Sequence, residues 1–503
     1  MKKLTLSMIV KNEEKYLEGC LDSVKDIVDE IVIVDTGSTD KTLEIAQRYN
    51  SKIFKFEWIH DFSAARNYAL SKSTGNWILY LDADERLSAD SKEEVKKIIK
   101  LNDKLGVNCI VNNIDEYSGN DKTMNYVRLF KNDSNIYFKG KAHEQILESL
   151  LENGYEIIDS AIEIIHLGYN LPREELKLKA ERNLKMLLDE FNESGSSYYA
   201  YQLGNTYAVL ENYEKAYEYY KIALEDKNLD GDYKSVCLLN LADYEMRNGN
   251  LETSEELVLQ GLKINPEHVW LHLLASQIYS ALGNFDLSIQ HCKTALNIRD
   301  NQKQKNSKLL EVNVSKEQVL YQAMLVSIKA QNGKEFEYFI NKFVALGHNK
   351  EALMIKKMIL EQTLDDSGME LINNIINKDN LEFYLTLISK LEFEKRIKLL
   401  LDMYDKFKDN TKYLLLVGLS LMEGKSYKEA EEILTHSLNQ QDKDPSVIFY
   451  LISIYLETNQ IKKIPSILDF AYKNFGENKL VMSKLKDIQI KLQPIIEQYQ
   501  PTL

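Results

Sequence analysis

Short apolar runs alternate with amphipathic segments along the first third of the chain. Four runs rich in apolar residues predict strands, at 4–10, 31–34, 53–56 and 77–81. Three segments between them carry apolar residues at helical spacing and predict helices, near 17–24, 43–49 and 62–71. Because strands and helices alternate at this spacing, we expect right-handed βαβ units and a mostly parallel sheet.

Polar residues stand directly after three of these predicted strands. Asn12 and Glu13 follow the first strand, residues 35–38 follow the second, and Asp82 and Asp84 follow the fourth. Ligands of such sheets bind at the carboxyl ends of the strands, so we expect these groups to converge. Two carboxylates on a short loop suit Mg²⁺ or Mn²⁺, which keep open positions for phosphates. The alternative interpretation is a pair of surface or N-capping acids.

Neither common glycine-rich phosphate motif occurs in the sequence. No G-x-G-x-x-G follows the first predicted strand, and no G-x-x-x-x-G-K-[ST] is present. A classical NAD site and a P-loop are therefore disfavoured. The sequence predicts instead a doubly wound domain that meets phosphates through a metal ion.

The strand pattern changes from residue 107. Apolar runs predict three antiparallel strands and then a last strand, at 107–114, 125–130, 136–138 and 157–165. His143 and Glu144 lie between the last two of these strands, and His166 ends the final one. These three residues are the further polar candidates from this part of the chain.

From about residue 172 the chain has a helical pattern throughout, and that pattern repeats. A turn followed by an aromatic or aliphatic anchor recurs, at Glu211, Gly249, Gly283, Lys425 and Asn459. The first three turns are 38 and 34 residues apart, and the last two are 34 residues apart. A small residue, where two helices can cross closely, stands twelve residues after each of these turn residues and ten after its anchor, at Ala223, Gly261, Ala295, Ser437 and Ala471. A 34-residue helix-turn-helix period is the signature of tetratricopeptide repeats.

Such repeats stack into a solenoid whose concave face binds extended peptides or proteins. A dimerisation or scaffold arm is the alternative, and it would make the protein a homodimer through the repeats. Residues 301–410 keep the pattern less clearly, although 331–333 offers another turn.

The length of 503 residues predicts two to four domains. We expect an α/β domain, a helical linker, tetratricopeptide repeats, degenerate helical repeats and C-terminal tetratricopeptide repeats, at 1–172, 173–195, 196–300, 301–410 and 411–503.

Composition argues against one class of binding partner and indicates a cellular compartment. The formal net charge of −14 argues against non-specific nucleic-acid binding, which needs clustered Lys and Arg. The four cysteines are scattered without a C-x-x-C pair, so buried thiols in a reducing compartment are expected. The sequence shows no signal-peptide pattern and no apolar run long enough to span a membrane. We therefore expect a cytoplasmic protein without an integral membrane segment.

Four motifs in the first third resemble those of family 2 glycosyltransferases of the GT-A fold. They are SMIVKNEE at 7–14, VDTGSTD at 34–40, DFSAARN at 61–67 and LDAD at 81–84. Two further motifs, FKGKAHE at 138–144 and HLGY at 166–169, occur together with the repeats. With them the chain is similar to the bacterial peptide glycosyltransferases of the sublancin type.

This resemblance implies an α/β GT-A catalytic domain followed by an all-α tetratricopeptide-repeat solenoid. It implies a nucleotide-diphosphate sugar donor, commonly UDP-linked, so that UDP-glucose or UDP-N-acetylglucosamine is expected. It also implies inversion at the anomeric carbon, Mg²⁺ or Mn²⁺ as the cofactor, and a peptide or protein acceptor on the solenoid.

The resemblance also implies roles for the donor-binding residues. Val10, Glu13 and Asp35 would line the nucleoside pocket, where the Asp35 carboxylate accepts from a uracil N–H or a ribose hydroxyl. Many relatives have a second acid where this chain has Thr36, so the contact to the base stays open. Arg66 would face the nucleotide or its diphosphate, and the alternative is an exposed helix charge.

Metal and catalytic roles carry over in the same way. Asp84 would ligate the metal directly, Asp82 would contact the ribose or a metal-bound water, and Glu85 is interpreted as a flanking acid. His166 would complete the metal shell, or else only form a hydrogen bond. The candidates for acceptor chemistry are Glu144 as general base, Glu116 as the second candidate base, and His143 as a residue that binds acceptor or phosphate.

Two other functions remain open at this stage. The enzyme could act on a cell-envelope glycan, with the repeats serving only assembly, or the chain could be a non-catalytic scaffold with a vestigial GT-A domain. The intact Asp82, Arg66 and Glu144 argue against the scaffold. The sequence leaves open the sugar and whether Ser, Thr or Cys is modified.

Overall fold

Nine strands in the described part of the chain form one mixed sheet. The computed structural model describes residues 3–101, 103–113, 122–167, 173–301, 311–312, 314–440, 443–476 and 478–499. Within them the strands are β1 (Leu4–Val10), β2 (Glu30–Asp35), β3 (Lys52–Lys55), β4 (Trp77–Tyr80), β5 (Glu85–Leu87), β6 (Leu105–Asn113), β7 (Lys122–Lys131), β8 (Glu156–His166) and β9 (Glu311–Val312).

The strand order is β3-β2-β1-β4-β7-β6-β8-β5, with β9 beside β7. β1 runs parallel to β2 and β4, and β2 runs parallel to β3, so these four strands form the parallel half that the pattern predicts. β7 is antiparallel to β4 and β6, β6 is parallel to β8, and β5 is antiparallel to β8. The other half of the sheet is therefore mixed.

The prediction of a strand at 136–138 is wrong. The side chain of Asn67 accepts from the backbone N–H of Phe138 at 2.7 Å and donates to its carbonyl at 2.9 Å. The backbone N–H of Tyr137 donates to the Ser149 hydroxyl at 3.0 Å. Because side chains satisfy these backbone groups, the segment needs no neighbouring strand.

Five helices accompany the strands of the sheet. They are α1 (Leu17–Val24), α2 (Thr42–Arg48), α3 (Phe62–Lys72), α4 (Lys92–Ile98) and α5 (Leu147–Glu152). The first three confirm the helices predicted from spacing. α3 begins where the Asp61 carboxylate accepts from the backbone N–H of Ala64 at 2.8 Å, which is an N-cap.

Buried strands place the loop after β4 rigidly. Alternate residues of a strand face opposite sides of the sheet, and β4 is buried on both sides. Trp77 and Leu79 join a core with Leu17 and Leu21 of α1, whereas Ile78 and Tyr80 join a second core, which includes Phe130, Phe138 and Leu150. Full burial of such a side chain contributes about 1.5–3 kcal/mol. Residues 82–85 therefore start from a firmly held strand end.

Helices make up the rest of the described chain. They are α6 (Arg173–Ser194), α7 (Ser197–Val209), α8 (Tyr213–Glu225), α9 (Gly231–Arg247), α10 (Leu251–Ile264), α11 (Val269–Ala281), α12 (Phe285–Asn301), α13 (Lys316–Lys329), α14 (Gly333–Ala345), α15 (Asn349–Leu360), α16 (Asp366–Ile375), α17 (Leu381–Ile388), α18 (Phe393–Asp402), α19 (Tyr404–Phe407), α20 (Thr411–Glu423), α21 (Tyr427–Leu438), α22 (Ser446–Glu457), α23 (Ile464–Phe475) and α24 (Lys479–Tyr499).

The predicted repeat turns all have left-handed backbone. The φ angles of these turn residues lie between 53° and 76°, at Glu211, Gly249, Gly283, Gln331, Lys425 and Asn459. A new helix starts two residues after each of the first five, and a 3₁₀ turn starts two residues after Asn459. The small residues expected at helix crossings are buried, at Ala223, Gly261, Ala295, Ser437 and Ala471. Gln331 thus confirms the turn expected inside the degenerate stretch.

The described residues divide into two compact units. One joins the sheet to the helices as far as Leu241 and includes 260–266 and the described residues between 301 and 314. The other holds 242–259, 267–300 and the described residues from 315 onward. The unit built on the sheet therefore extends beyond residue 172, and the domain limits given above remain predictions.

Cysteine burial and helix length complete the description of the fold. The four cysteines are free thiols and all are buried, as expected from their scattered positions. Among the described helices, none combines the length and apolar character needed to cross a membrane.

Candidate active site

The ends of β1 and β2 lie side by side at one edge of the sheet. Val10 and Asp35 are directly paired in the register of these parallel strands. Thr36 donates from its backbone N–H and its hydroxyl to the Val10 carbonyl, at 3.0 and 3.1 Å. The buried Asp35 carboxylate accepts from the backbone N–H of Ser38 at 2.9 Å. The predicted nucleoside residues Val10 and Asp35 are therefore neighbours.

Hydrogen bonds between two loops hold Glu13 next to this edge. The Ser38 hydroxyl accepts from the backbone N–H of Asn12 at 3.0 Å, and the Asn12 side chain accepts from that of Thr39 at 2.8 Å. The backbone N–H of Glu13 donates to the Thr42 hydroxyl at 2.7 Å. Asn12 has a φ of 57°, a left-handed conformation that asparagine tolerates.

The acids after β4 act electrostatically on the carboxyl group of Glu13. Burial and the nearby Asp84, with smaller effects from Asp82, raise the pKa of Glu13 to about 7. Lys179 of α6 acts in the opposite direction. Glu13, Asp82 and Asp84 therefore share one electrostatic environment, as their positions at strand ends predict.

Arg66 joins two of the predicted site residues. Its guanidinium donates from Nη2 to Asp82 Oδ1 at 2.7 Å and from Nε to Glu144 Oε1. It lies over the rings of Tyr80 and Phe138, 5.2 and 5.6 Å from their centroids. Arg66 is only 6% exposed, so the alternative of an exposed helix charge is wrong.

A second buried arginine, Arg128 of β7, supports the same loop. Its Nη2 lies 2.5 Å from Glu85 Oε1 and 3.8 Å from Asp82 Oδ2. Burial opposes ionisation of Asp82, but Arg66 and Arg128 outweigh it and hold the pKa of Asp82 well below its usual range. Asp82 is therefore a carboxylate at neutral pH.

The interpretation of Glu85 as a flanking acid is wrong. Glu85 is fully buried in β5, and its Oε2 accepts from the backbone N–H of Asp82 at 2.9 Å. The backbone N–H of Glu85 in turn donates to the Asp82 carbonyl at 3.0 Å. With Arg128 as its ion-pair partner, Glu85 fixes the turn that presents Asp82 and Asp84.

Strand pairing brings His166 to Asp84. His166 ends β8, where it is paired with Asn113 of β6 on one side and Glu85 of β5 on the other. His166 Nε2 lies 3.4 Å from Asp84 Oδ2, and its Nδ1 lies 2.6 Å from Asn113 Oδ1. Nδ1 is directed at Asn113 Oδ1 and Nε2 at Asp84. Burial lowers the pKa of His166, but a hydrogen bond to Asp84 and the charges of Asp84, Glu85 and Asp82 outweigh it and raise that pKa.

This donor set fits a divalent cation. One carboxylate and one imidazole nitrogen within 3.4 Å can bind the same ion, which would complete its shell with substrate oxygens and water. In the part of the chain that the structure describes, no group of three His, Cys, Asp or Glu side chains is arranged to hold a metal ion by itself.

Glu144 lies in a short closed loop, residues 139–145, which we call the Glu144 segment. The backbones of Lys139 and Gln145 exchange two hydrogen bonds of 2.9 Å across it. Glu144 is mostly buried against Arg66, with 13% of its side chain exposed, whereas His143 is exposed and has a φ of 54°. The segment thus directs the carboxylate inward and the imidazole outward.

Five of the ten predicted site residues come together in two groups at this edge. One group is Arg66 with Asp82 and Glu144, and the other is Asp84 with His166. Glu116, the second candidate base, lies outside the described residues.

Sequence reasoning missed two residues that hold the site, Arg128 and Asn113, and it assigned the wrong role to a third, Glu85. Arg128 did carry a signal, because an arginine inside the apolar run 125–130 has to find a partner once it is buried. Asn113 carried none, since its role depends on the register between β6 and β8.

Two family models match the chain. The model "Glycosyl transferase family 2" matches residues 5–160, and a "Tetratricopeptide repeat" model matches 271–302. A "TPR repeat-containing protein" of Synechococcus elongatus is 30% identical over 310 residues, which cover 59% of this chain and 75% of that protein. The chain belongs to the family 2 glycosyltransferases that carry tetratricopeptide repeats. The predicted fold class, a GT-A-like α/β domain followed by helical repeats, is confirmed.

Other relatives of this glycosyltransferase match over smaller shares of their length. The "SPbeta prophage-derived glycosyltransferase SunS" of Bacillus subtilis is 30% identical over 227 residues, which cover 44% of this chain and 53% of SunS. This chain therefore spans about half the length of SunS in the match. A crystal structure of S. aureus TarS 1-349 in complex with UDP-GlcNAc aligns at 16% identity with a TM-score of 0.28, over 62% of this chain and 97% of that chain.

Proposed function

We propose that this glycosyltransferase is a metal-dependent, inverting hexosyltransferase that moves a sugar from a UDP-linked donor to a peptide or protein. The observation that carries the proposal is Arg66 between Asp82 and Glu144, beside the Asp84–His166 pair. A donor-side acid, a metal-ligand pair and a candidate base thus share one edge of the sheet. These are the groups that transfer from a nucleotide sugar needs.

Donor binding is assigned to the ends of β1 and β2. Val10, Glu13 and Asp35 would line the nucleoside pocket, with the Asp35 carboxylate accepting from the base or the ribose. Arg66 would hold Asp82 ionised and in place, so that Asp82 can contact the ribose or a metal-bound water. UDP-glucose and UDP-N-acetylglucosamine are the proposed donors.

Asp84 and His166 would hold Mg²⁺ or Mn²⁺. When bound, such an ion acts as a Lewis acid and neutralises charge on the departing nucleoside diphosphate. Asn113 would keep the proton on Nδ1 of His166, which would leave the Nε2 lone pair for the ion.

Glu144 would be the general base. Arg66 contacts Oε1 of Glu144 and so fixes the direction of the carboxylate, and Oε2 would take the proton from the acceptor. The acceptor oxygen or sulfur would then attack the anomeric carbon on the side opposite the leaving nucleotide, which inverts its configuration.

A peptide or protein acceptor is proposed because the catalytic residues are joined to a repeat array. Stacked helical repeats present extended surfaces that suit polypeptides. The modified residue would be Ser, Thr or Cys, each of which supplies a nucleophile that Glu144 can deprotonate.

UDP release by the full chain tests catalysis. The purified protein is incubated with UDP-glucose or UDP-N-acetylglucosamine and with Mn²⁺, Mg²⁺ or EDTA. We expect release that needs the metal and falls at least about a hundredfold in Asp84→Asn and Glu144→Gln, as for other groups that stabilise a transition state. Asp90→Asn, which removes an exposed acid a few residues away, is the matched control and should keep full activity. No release with any donor would favour the scaffold.

Product analysis tests the acceptor. Radiolabelled donor is supplied with protein and cell-envelope fractions of the source cells. Label that proteolysis converts to small peptides supports the proposal, whereas label that stays in a protease-resistant glycan supports the cell-envelope function.

A further inference from the structure

Helix α6 holds the first half of the Glu144 segment. The backbone N–H of Lys141 donates to Glu190 Oε1 at 2.9 Å. The Lys141 ammonium also pairs with Glu193 at 3.0 Å. Both acids lie on the last two turns of α6, so this helix anchors the segment three residues before Glu144.

Tyr198 of α7 holds the second half. Its hydroxyl accepts from Gln145 Nε2 and from Gln202 Nε2, both at 2.9 Å, and donates to the His143 carbonyl at 3.4 Å. A phenolic hydroxyl has one donor and two acceptor sites, so these three bonds use all of them. Its two partners in the segment are the residues immediately before and after Glu144.

The ring of Tyr198 is itself held in place. The rings of Tyr199 and Tyr233 pack against it edge-on, each with a centroid distance of 5.5 Å. The hydroxyl can therefore be removed by Tyr198→Phe while the ring packing is kept.

The backbone of the Glu144 segment needs such support. His143 has a φ of 54°, a left-handed conformation that is costly for a residue with a Cβ atom. Gly140 has a φ of 96°, and a Cβ atom there would collide with the Tyr199 hydroxyl. Strained backbone persists only where its surroundings hold it, and here α6 and α7 supply the surroundings.

We infer that Tyr198 is a positioning residue for Glu144, and this rests on the proposed function, in which Glu144 is the base. By binding the residues on either side of Glu144, Tyr198 sets the direction of the carboxylate that Arg66 contacts. The first two helices after the sheet, α6 and α7, therefore hold the segment that carries the proposed base.

Hydrogen exchange of the full chain tests whether Tyr198 holds the segment. Tyr198→Phe should speed amide exchange in 139–146 about two- to tenfold, which corresponds to the loss of one net hydrogen bond. Tyr220→Phe is the matched control, because it removes the buried hydroxyl that donates to Asn205 at 2.9 Å in the same hairpin. Unchanged exchange in 139–146 for Tyr198→Phe, or an equal increase in the control, overturns the inference.

Kinetics of UDP release from UDP-glucose with Mn²⁺ test the consequence for Glu144. Tyr198→Phe should lower kcat about ten- to a hundredfold with an unchanged donor KM, because a base displaced by about an ångström loses most of its effect. Tyr220→Phe should change neither constant. A normal kcat in Tyr198→Phe, or a loss confined to KM, overturns the inference.

The two proposals fail in different ways. Full activity in Glu144→Gln, or no UDP release by the unmodified protein, would remove the proposed function. The exchange comparison needs no activity, and it still decides whether Tyr198 holds the segment.

Discussion

The buried ion pair between Arg128 and Glu85 offers the sharpest test of how the site is built. We predict that Arg128→Met destabilises the unit built on the sheet by about 3–5 kcal/mol, the usual cost of leaving a buried charge without its partner. Glu85 is fully buried and the arginine side chain is 10% exposed, so water cannot replace the lost partner.

A second substitution separates the lost charge from the lost packing. Adding Glu85→Gln to Arg128→Met removes the unpaired charge and keeps an acceptor for the Asp82 N–H, which Glu85 binds at 2.9 Å. We expect the double variant to regain at least about 2 kcal/mol, since a neutral amide is far easier to bury than a carboxylate. The regained part measures the electrostatic contribution by itself.

Urea unfolding followed by tryptophan fluorescence provides the assay. Of the three tryptophans, Trp58 and Trp77 lie in the unit built on the sheet, and Trp270 lies in the other. A Trp270→Phe background therefore makes the signal specific for the relevant unit. Lys96→Met, which breaks an exposed ion pair with Glu93, is the control and should leave the midpoint unchanged. A loss below about 1 kcal/mol for Arg128→Met, or no recovery in the double variant, would refute the reasoning.

Three further predictions concern stability, the repeat turns and the metal. Burial alone would raise the pKa of Glu30, but hydrogen bonds from Lys52 and two threonines lower it to about 2. The ionised Glu30 therefore stabilises the folded protein above about pH 4.5, and this contribution is lost as the pH falls toward 2. Glu30→Gln should therefore cost up to about 3 kcal/mol at pH 7 and flatten the pH dependence of urea midpoints between pH 4.5 and 2. Gly283→Ala should lower the stability of its unit by about 1 kcal/mol in urea unfolding, because φ is 76° there, whereas Gly333→Ala, in α14 with open space around it, should not. His166→Ala should raise the Mn²⁺ concentration for half-maximal UDP release about ten- to a hundredfold, and an unchanged metal titration would contradict its role as a ligand.

Local patterns predicted the elements whose causes are local. β1 to β4 and α1 to α3 follow from apolar periodicity, and the repeat turns follow from their spacing. The segment 136–138 has strand-like composition, yet Asn67, some 70 residues earlier in the chain, occupies its backbone groups. β5 is a three-residue strand with two charges, and only its pairing with β8 makes it one.

Part of the candidate site could likewise be predicted from local sequence patterns, and part could not. The positions of Asp35, Asp82 and Asp84 at strand ends follow from the order of the elements. The pairing of Arg66 with Glu144 spans 78 residues, and that of Arg128 with Glu85 spans 43. Such pairs depend on how distant segments pack and on strand register, neither of which a local pattern contains.

The position of Arg66 between two carboxylates limits how this site can change during evolution. Loss of Arg66 alone would leave the partly exposed Asp82 and the mostly buried Glu144 as acids without their shared cation. Loss of either acid alone would leave the arginine charge only half compensated. Drift one substitution at a time is therefore disfavoured, and the three residues should be kept or lost as a set among descendants of this chain. A homologue that has dropped all three is then best explained as one freed from the transfer reaction, even where its repeats are intact.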